Sequence, residues 1–225
     1  MKYDKPYTPP TLTVDAVIFH IANNSLEVLL IRRPNEPFKG KWALPGGYNA
    51  KGETTTAALQ RVVTQKTGLH TEKHLRYIEQ LYTFDTVDRD PRGHAVSVTY
   101  LGCGRDIQPD SSAANATFIN VDELPPLAYD HANIIAYARE RLIAKLTYTN
   151  AVAAFLEKRF TLTQLQSAYE IIFGREFDKR NFRKKFLSLN LIHETDELWK
   201  GGAHRPAKLY EFNNQTLESL ARSFD

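Results

Sequence analysis

Residues 46 to 69 read GGYNAKGETTTAALQRVVTQKTGL. Neither Pro nor Gly interrupts positions 54 to 67, the Thr54-Thr55-Thr56 run can cap a helix start, and Gly68 can end it. The stretch therefore predicts a helix over 54 to 67. Positions 62, 65 and 66 of such a helix fall within about one turn and share a side. Upstream, Val28-Leu29-Leu30-Ile31-Arg32-Arg33 reads as a strand, and Trp42-Ala43-Leu44-Pro45-Gly46-Gly47 leads from it into the helix. A strand, a Gly-Gly turn and a helix carrying Glu53 before it and Arg61 within it form the frame around which the chain is organised.

From Gly47 this segment resembles a Nudix box, the signature of enzymes that hydrolyse nucleoside diphosphates linked to another group. The box runs Gly, five residues, Glu, seven residues, Arg-Glu, an apolar residue, any residue, Glu-Glu, any residue, Gly, apolar. Here Glu53, Arg61, Val63, Gly68 and Leu69 stand in register, while Val62, Gln65 and Lys66 replace the three carboxylates after the arginine. Mg²⁺ is a hard cation that takes oxygen ligands and acts in phosphoryl chemistry as a Lewis acid. An apolar side chain, a neutral amide and an ammonium do not supply that site. The expectation is a Nudix-type α/β/α sandwich with a mixed sheet, no catalytic residues, no metal and no cofactor.

Bulk properties point to two soluble domains. The chain has 225 residues, is 42% hydrophobic and carries a formal charge of +3, too mild to demand an anionic partner by itself. Its one cysteine, Cys103, excludes an internal disulfide framework and suits a reducing compartment. MKYDKPYTPPTLTV has no apolar h-region, and no run is long enough to span a membrane, so the chain is expected to be cytoplasmic with no membrane partner.

Thr11 to Ile21 and Glu27 to Arg33 read as a hairpin around Asn23-Asn24-Ser25, with further strands at Leu75 to Thr83, Ala95 to Gly102 and Thr117 to Val121. Asp130 is placed to cap a helix reaching about Leu146, with Ile134, Ile135, Ala138, Leu142 and Leu146 at helical spacing. A boundary near 149 divides the chain into residues 1–149 and 150–225. The second part reads as a helix over Ala151 to Arg159, a second helix from the Phe160-Thr161-Leu162-Thr163 cap to Phe173 stopped by Gly174, and a third from Lys179 to Leu189. Strands at 191–194 and 207–212 follow, around a loop from Asp196 to Pro206. Three helices and a hairpin are the order of a winged helix-turn-helix, whose second motif helix reads a DNA major groove. Nine Lys or Arg against five acids lie between Arg175 and Lys208. Lys179 with Arg183, and Arg180 with Lys184, are i, i+4 pairs on one side, leaving Phe182, Phe186 and Leu189 for the core.

A damaged Nudix box followed by FTLTQLQSAYEIIFGREFDKRNFRKKF and GGAHRPAKLYEF resembles the bacterial Nudix-related transcriptional regulators of NrtR type, over nearly all of residues 10 to 213. The resemblance implies a homodimeric DNA-binding regulator, often a repressor, that binds a palindromic double-stranded operator. Its former catalytic domain would sense ADP-ribose or a related sugar-linked metabolite, controlling genes of NAD metabolism or of sugar catabolism. Candidate effector contacts are Arg33, Phe38, Lys39, Trp42, Glu53, Arg89, Arg92 and His131, because a diphosphate needs cationic donors and a base needs a ring to stack on. An alternative role for Glu53 is to pair with Arg61 across the box helix and hold its loop. Candidate DNA contacts are Thr161, Thr163, Lys179, Arg180, Arg183, Lys184, Lys200, His204, Arg205 and Lys208. Two alternatives stand beside this reading. One is an active hydrolase of ADP-ribose-like substrates with metal ligands drawn from Glu72, Glu79, Asp85 or Glu123; the other is a winged helix that binds RNA or protein.

Overall fold

The computed structural model describes residues 8–111, 113, 115–199, 206–214 and 216–220. The first half is a seven-stranded mixed sheet. Its centre is β1 (Thr11–Ala22), hairpin-paired with β2 (Ser25–Arg32) through Asn23 and Asn24, both at positive φ as a tight two-residue turn requires. The short strands β3 (Trp42–Ala43) and β4 (Gly46–Tyr48) pair with β2 and β1. After α1 (Thr55–Thr67) and the single turn α2 (Thr71–His74) come β5 (Tyr77–Phe84) and β6 (Ala95–Cys103). β6 lies parallel to β1 over nine residues, β5 closes that edge, and β7 (Ala116–Asn120) pairs with β2.

β1 is buried on both faces, and its alternation sorts the two layers. Ala16 and Ile18 join Leu29 against Leu59 and Val63 of α1. Val17 and Phe19 join Val28 and Leu30 against Ile134, Ile135, Ala138 and Leu142 of α3 (His131–Tyr148) on the other side. The result is the expected α/β/α sandwich. α1 starts on the Thr54 hydroxyl, which accepts from the Ala57 N–H, and ends at Gly68 in the left-handed region. Gly68 is required twice over, since a Cβ there would lie 2.2 Å from Asp110 Cβ.

The second half contains a 3-10 helix (Ala151–Phe155), α4 (Leu162–Phe173), α5 (Lys179–Ser188), β8 (Ile192–Trp199) and β9 (Ala207–Phe212). Two expectations need correction. The first helix stops at Phe155 instead of Arg159, because the chain must turn to carry Phe160 into the wing. There Phe160 exchanges both backbone hydrogen bonds with Tyr210, at 3.0 and 2.8 Å. β8 runs to Trp199, beyond the expected Glu194, through a bulge that restores pairing at Leu198 with Lys208. α3 ends at Tyr148, yet one hydrophobic cluster runs from Val17 and Leu142 through Val152, Leu165 and Tyr169 to Phe182 and Phe186. The Tyr169 hydroxyl of α4 donates to the Leu146 carbonyl of α3, and Arg76 donates to the Leu156 carbonyl at 2.6 Å. The two halves therefore meet through packed side chains and not through a linker. No helix among the described residues is long and apolar enough to cross a membrane.

Candidate functional site

The loop before α1 is held by an ion pair. Arg61 donates from Nε to Glu53 Oε1 at 2.8 Å and from Nη2 to Oε2 at 2.7 Å, and reaches the Tyr48 carbonyl at 3.0 Å. Oε2 also accepts the Ala50 N–H at 2.9 Å. These bonds, Arg61's first, hold the Glu53 carboxyl down at about 2. Glu53 thus fastens the loop and is not among the residues that line the neighbouring cleft.

That cleft, about 700 Å³, lies between β1, the β2 end, β4, α1 and the β5–β6 loop. Its floor is a buried charged network. Asp15 is a lone carboxylate in the apolar strand β1, accepts from Ser97 Oγ at 2.5 Å, and lies 3.6 Å from Arg89. Arg89 forks onto Asp130, from Nε at 3.0 Å and Nη2 at 2.8 Å. Asp130 holds the N-cap position of α3, but its side chain goes to Arg89 and makes no cap hydrogen bond, contrary to the expected capping role. His131 Nδ1 accepts the Leu44 N–H at 2.9 Å, which leaves Nε2 as the protonated nitrogen of the neutral ring. Nε2 points at Asp15 Oδ1, 3.7 Å away. Burial pushes the His131 pKa down, against the pull of Asp15. Gly46 completes the floor: a Cβ there would fall 1.8 Å from Asp15 Oδ1.

The walls are cationic and aromatic. Arg33 lies over the Tyr129 ring at 4.9 Å, while Arg92 pairs with Asp90 at 2.6 Å and donates to the Tyr48 hydroxyl at 2.7 Å. Of the eight expected effector contacts, Arg33, Arg89, Arg92 and His131 line the cleft; Phe38, Lys39, Trp42 and Glu53 do not. Phe38 packs edge-on against the back of the wall at Tyr129. Trp42 is committed to β3, with Arg32 above its ring, and Lys39 sits in an exposed turn. Sequence reasoning missed Asp15, Tyr48 and Tyr129. Asp15 had a signal, a single acid in an apolar run, whereas the two tyrosines are aimed by turns that no local pattern announces.

The box positions that lost carboxylates also border the cleft. Val62 is buried with Val14 and Ala58 and lies against Gly47; Gln65 and Lys66 look outward along the rim. Lys66 is exposed, its ammonium donates to the Gly46 carbonyl, and partial desolvation lowers its pKa. Among the described residues no group of three or more His, Cys, Asp or Glu is arranged to hold a metal ion. Glu72 bonds Gln60, Glu79 pairs with Lys145 at 2.9 Å, and Asp85 and Glu123 lie outside the cleft.

In the second half, α4 begins with a full capping box between Thr161 and Gln164. Thr161 is buried and its hydroxyl accepts the Gln164 N–H, so its side chain shapes the helix start. The turn into α5 is tied by Glu170, which accepts the Phe177 N–H at 2.9 Å, and by Gln166, which donates to the Phe177 carbonyl. Asp178 caps α5. Phe182 and Phe186 turn inward against Tyr169, leaving Lys179, Arg180 and Lys184 exposed. Arg183 is half-buried and donates to Thr163 Oγ1 at 3.2 Å, which joins the exposed start of α4 to this basic face. Lys208 on the wing pairs with Glu194 at 2.6 Å. Lys200, His204 and Arg205 lie outside the described residues.

Two protein families match successive parts of the chain. Residues 11–138 match the NUDIX domain family, and residues 152–212 match the family described as NrtR DNA-binding winged helix domain. The chain is 35% identical over 220 residues to the ADPR responsive transcriptional repressor NtrR of Acinetobacter baylyi, covering 94% of this chain and 86% of that protein. The crystal structure of Shewanella oneidensis NrtR complexed with a 27mer DNA superposes with a TM-score of 0.80 at 31% identity, covering 95% and 99% of the two chains. The NUDIX domain of that protein complexed with ADP ribose matches with a TM-score of 0.54 at 35% identity, covering 60% and 90%. ADP-ribose pyrophosphatase of Methanocaldococcus jannaschii is 37% identical over 138 residues, covering 60% of this chain and 76% of that enzyme. With a Nudix frame ahead of an NrtR-type winged helix, and a relative aligned over almost its whole length, the chain belongs to the NrtR family of Nudix-related transcriptional regulators.

Proposed function

We propose that this protein is a cytoplasmic transcriptional repressor that binds operator DNA through α5 and the wing, and releases it when ADP-ribose enters the Nudix cleft. The observation that carries this reading is the join between the two sites. α3 begins at Asp130, clamped by Arg89 in the cleft, and ends where Leu146 accepts from Tyr169 of α4. Its 18 residues span about 27 Å as one rigid rod. An anion that draws Arg89 away from Asp130 loosens the start of α3, and the motion is felt where the rod meets the DNA-binding half. Effector and DNA are then coupled by their differential affinity for two positions of this rod.

Two copies related by a two-fold axis would present two α5 helices to a palindromic operator, with half-sites about one helical turn (~34 Å) or a multiple apart. The cleft binds without hydrolysing: Val62, Gln65 and Lys66 supply no metal ligand, and Glu53 is saturated by Arg61 and Ala50. A mobility-shift assay with the chain's own upstream DNA, with and without ADP-ribose, tests the reading. A shift relieved by ADP-ribose is expected; no shift at low salt under any condition would sink it. The likeness to an ADP-ribose pyrophosphatase favours a hydrolase as the second reading. Incubation with ADP-ribose and Mg²⁺ or Mn²⁺ separates the two, since robust turnover would retire the non-catalytic cleft.

A further inference from the structure

The rim of α1 that faces the cleft has lost its acids, but it has not become neutral. Beside Arg61, which is held by Glu53, it carries the Lys66 ammonium, fixed on the Gly46 carbonyl at the point where Asp15 lies against the Gly46 backbone. Arg33 stands close enough that its charge, after burial, helps lower the Lys66 pKa, while Asp15 draws it the other way. Arg61, Arg89 and Arg92 each have a carboxylate within 4.0 Å; Lys66 and Arg33 form no such ion pair among the described residues. Arg33 spends its Nε on the Pro37 carbonyl and its face on Tyr129, so its positive charge also has no ionic partner. Two cations that repel each other across one cleft are both stabilised by an anion placed between them. A diphosphate has the charge and the acceptor oxygens to fill that position. The donor set does not fit a divalent ion, and the cation it does hold is built into the chain.

We propose that Lys66 stands in for the divalent cation of the Nudix box, so that its ammonium and Arg33 hold the effector's diphosphate without metal. This rests on the reading of the cleft as an ADP-ribose site. Calorimetric titration of the full chain with ADP-ribose, in EDTA and again in excess Mg²⁺, tests it. Wild type is expected to bind equally well in both buffers. Lys66→Gln should lose about tenfold or more in affinity, as for a lost hydrogen bond to a charged group, and Lys66→Arg should keep most of it. Lys66 is exposed on α1 and belongs to no hydrophobic cluster, so neither variant disturbs the core. Gln65→Glu/Lys66→Glu, which returns two carboxylates to the rim, should bind only when Mg²⁺ is present. Wild-type binding that requires Mg²⁺, unchanged affinity in Lys66→Gln, or full-strength binding by the double variant in EDTA each overturns the proposal while leaving the effector reading intact. Failure of wild type to bind ADP-ribose in either buffer overturns both.

Discussion

The cations of the cleft and those of α5 are the same residue types put to opposite uses. Arg61, Arg89 and Arg92 are each forked onto a carboxylate of the same domain, so their positions are set before any ligand arrives. Lys179, Arg180 and Lys184 project from α5 into solvent and make no ion pair among the described residues. A small, rigid anion is recognised best by donors already in place, because little side-chain freedom is lost on binding. A DNA backbone is long and repeats its charge, so mobile cations can find phosphates and release counterions as they do. The difference teaches that charge in this chain is partitioned by what it must recognise, with Arg32, Arg33 and Lys66 as the cleft cations that form no ion pair among the described residues.

The comparison breaks most visibly at Arg89. Arg89→Ala would leave Asp15 and Asp130 beside one another without the cation they share, a loss of about 3–5 kcal/mol for a buried pair robbed of one partner. Urea unfolding of the full chain measures it, and a loss below about 1 kcal/mol would mean the cleft's charges are no more committed than those of α5. Gly46→Ala probes the same preorganisation without touching a charge. Its Cβ falls 1.8 Å from Asp15 Oδ1, so the carboxylate or the strand must move, at a cost of about 1–3 kcal/mol. Equal stability of this variant and wild type would show that the floor is soft.

On α5 the expectation reverses. Arg180→Ala/Lys184→Ala removes two exposed charges from a helix held by Phe182 and Phe186, so stability should change by less than about 0.5 kcal/mol. Operator affinity should fall roughly tenfold or more, and the slope of log affinity against log salt should shrink by about one unit per lost phosphate contact. Fluorescence anisotropy on labelled operator across a salt series reads both. An unchanged slope would place the DNA on another face.

Most of the fold was legible because its signals are local. The Thr54 cap, the Gly68 and Gly174 stops, the Asn23-Asn24 turn and the alternation of β1 each follow from a few adjacent residues. The misreadings came where a distant partner decides. Ala151 to Arg159 has the composition of a helix, but Phe160 is claimed by Tyr210 fifty residues on, and the helix yields. Asp130 has the position of a cap, but Arg89 takes its carboxylate. In the cleft, Arg33 was legible from charge near the box and Arg89 and Arg92 from the charged loop between two strands, while Tyr48 and Tyr129 arrive through backbone turns and leave no periodic trace. Phe38 and Trp42 carry rings suited to stacking but lie outside the cleft lining, one against Tyr129 and the other in β3.

The smallest effect distinguishes Arg61, paired with the box loop, from Arg180, which forms no ion pair among the described residues, by its response to acid. Glu53 is held at about 2, below its ordinary 4.5, chiefly by Arg61 and then by the Ala50 N–H. A carboxyl whose folded pKa is depressed contributes stability that is fully present above its unfolded pKa and disappears as pH falls through the folded one. The contribution of the Glu53–Arg61 pair should therefore be constant above 4.5 and fade between 4.5 and about 2. Glu53→Gln keeps the shape and one acceptor but removes the charge, so its urea midpoint should lie below wild type at neutral pH. The two should converge as the pH approaches about 2. Arg180 forms no ion pair among the described residues, so Arg180→Ala should show no such convergence. A gap between Glu53→Gln and wild type that stays constant through this window would assign the loss to packing and remove the ionic clasp from the account of the box.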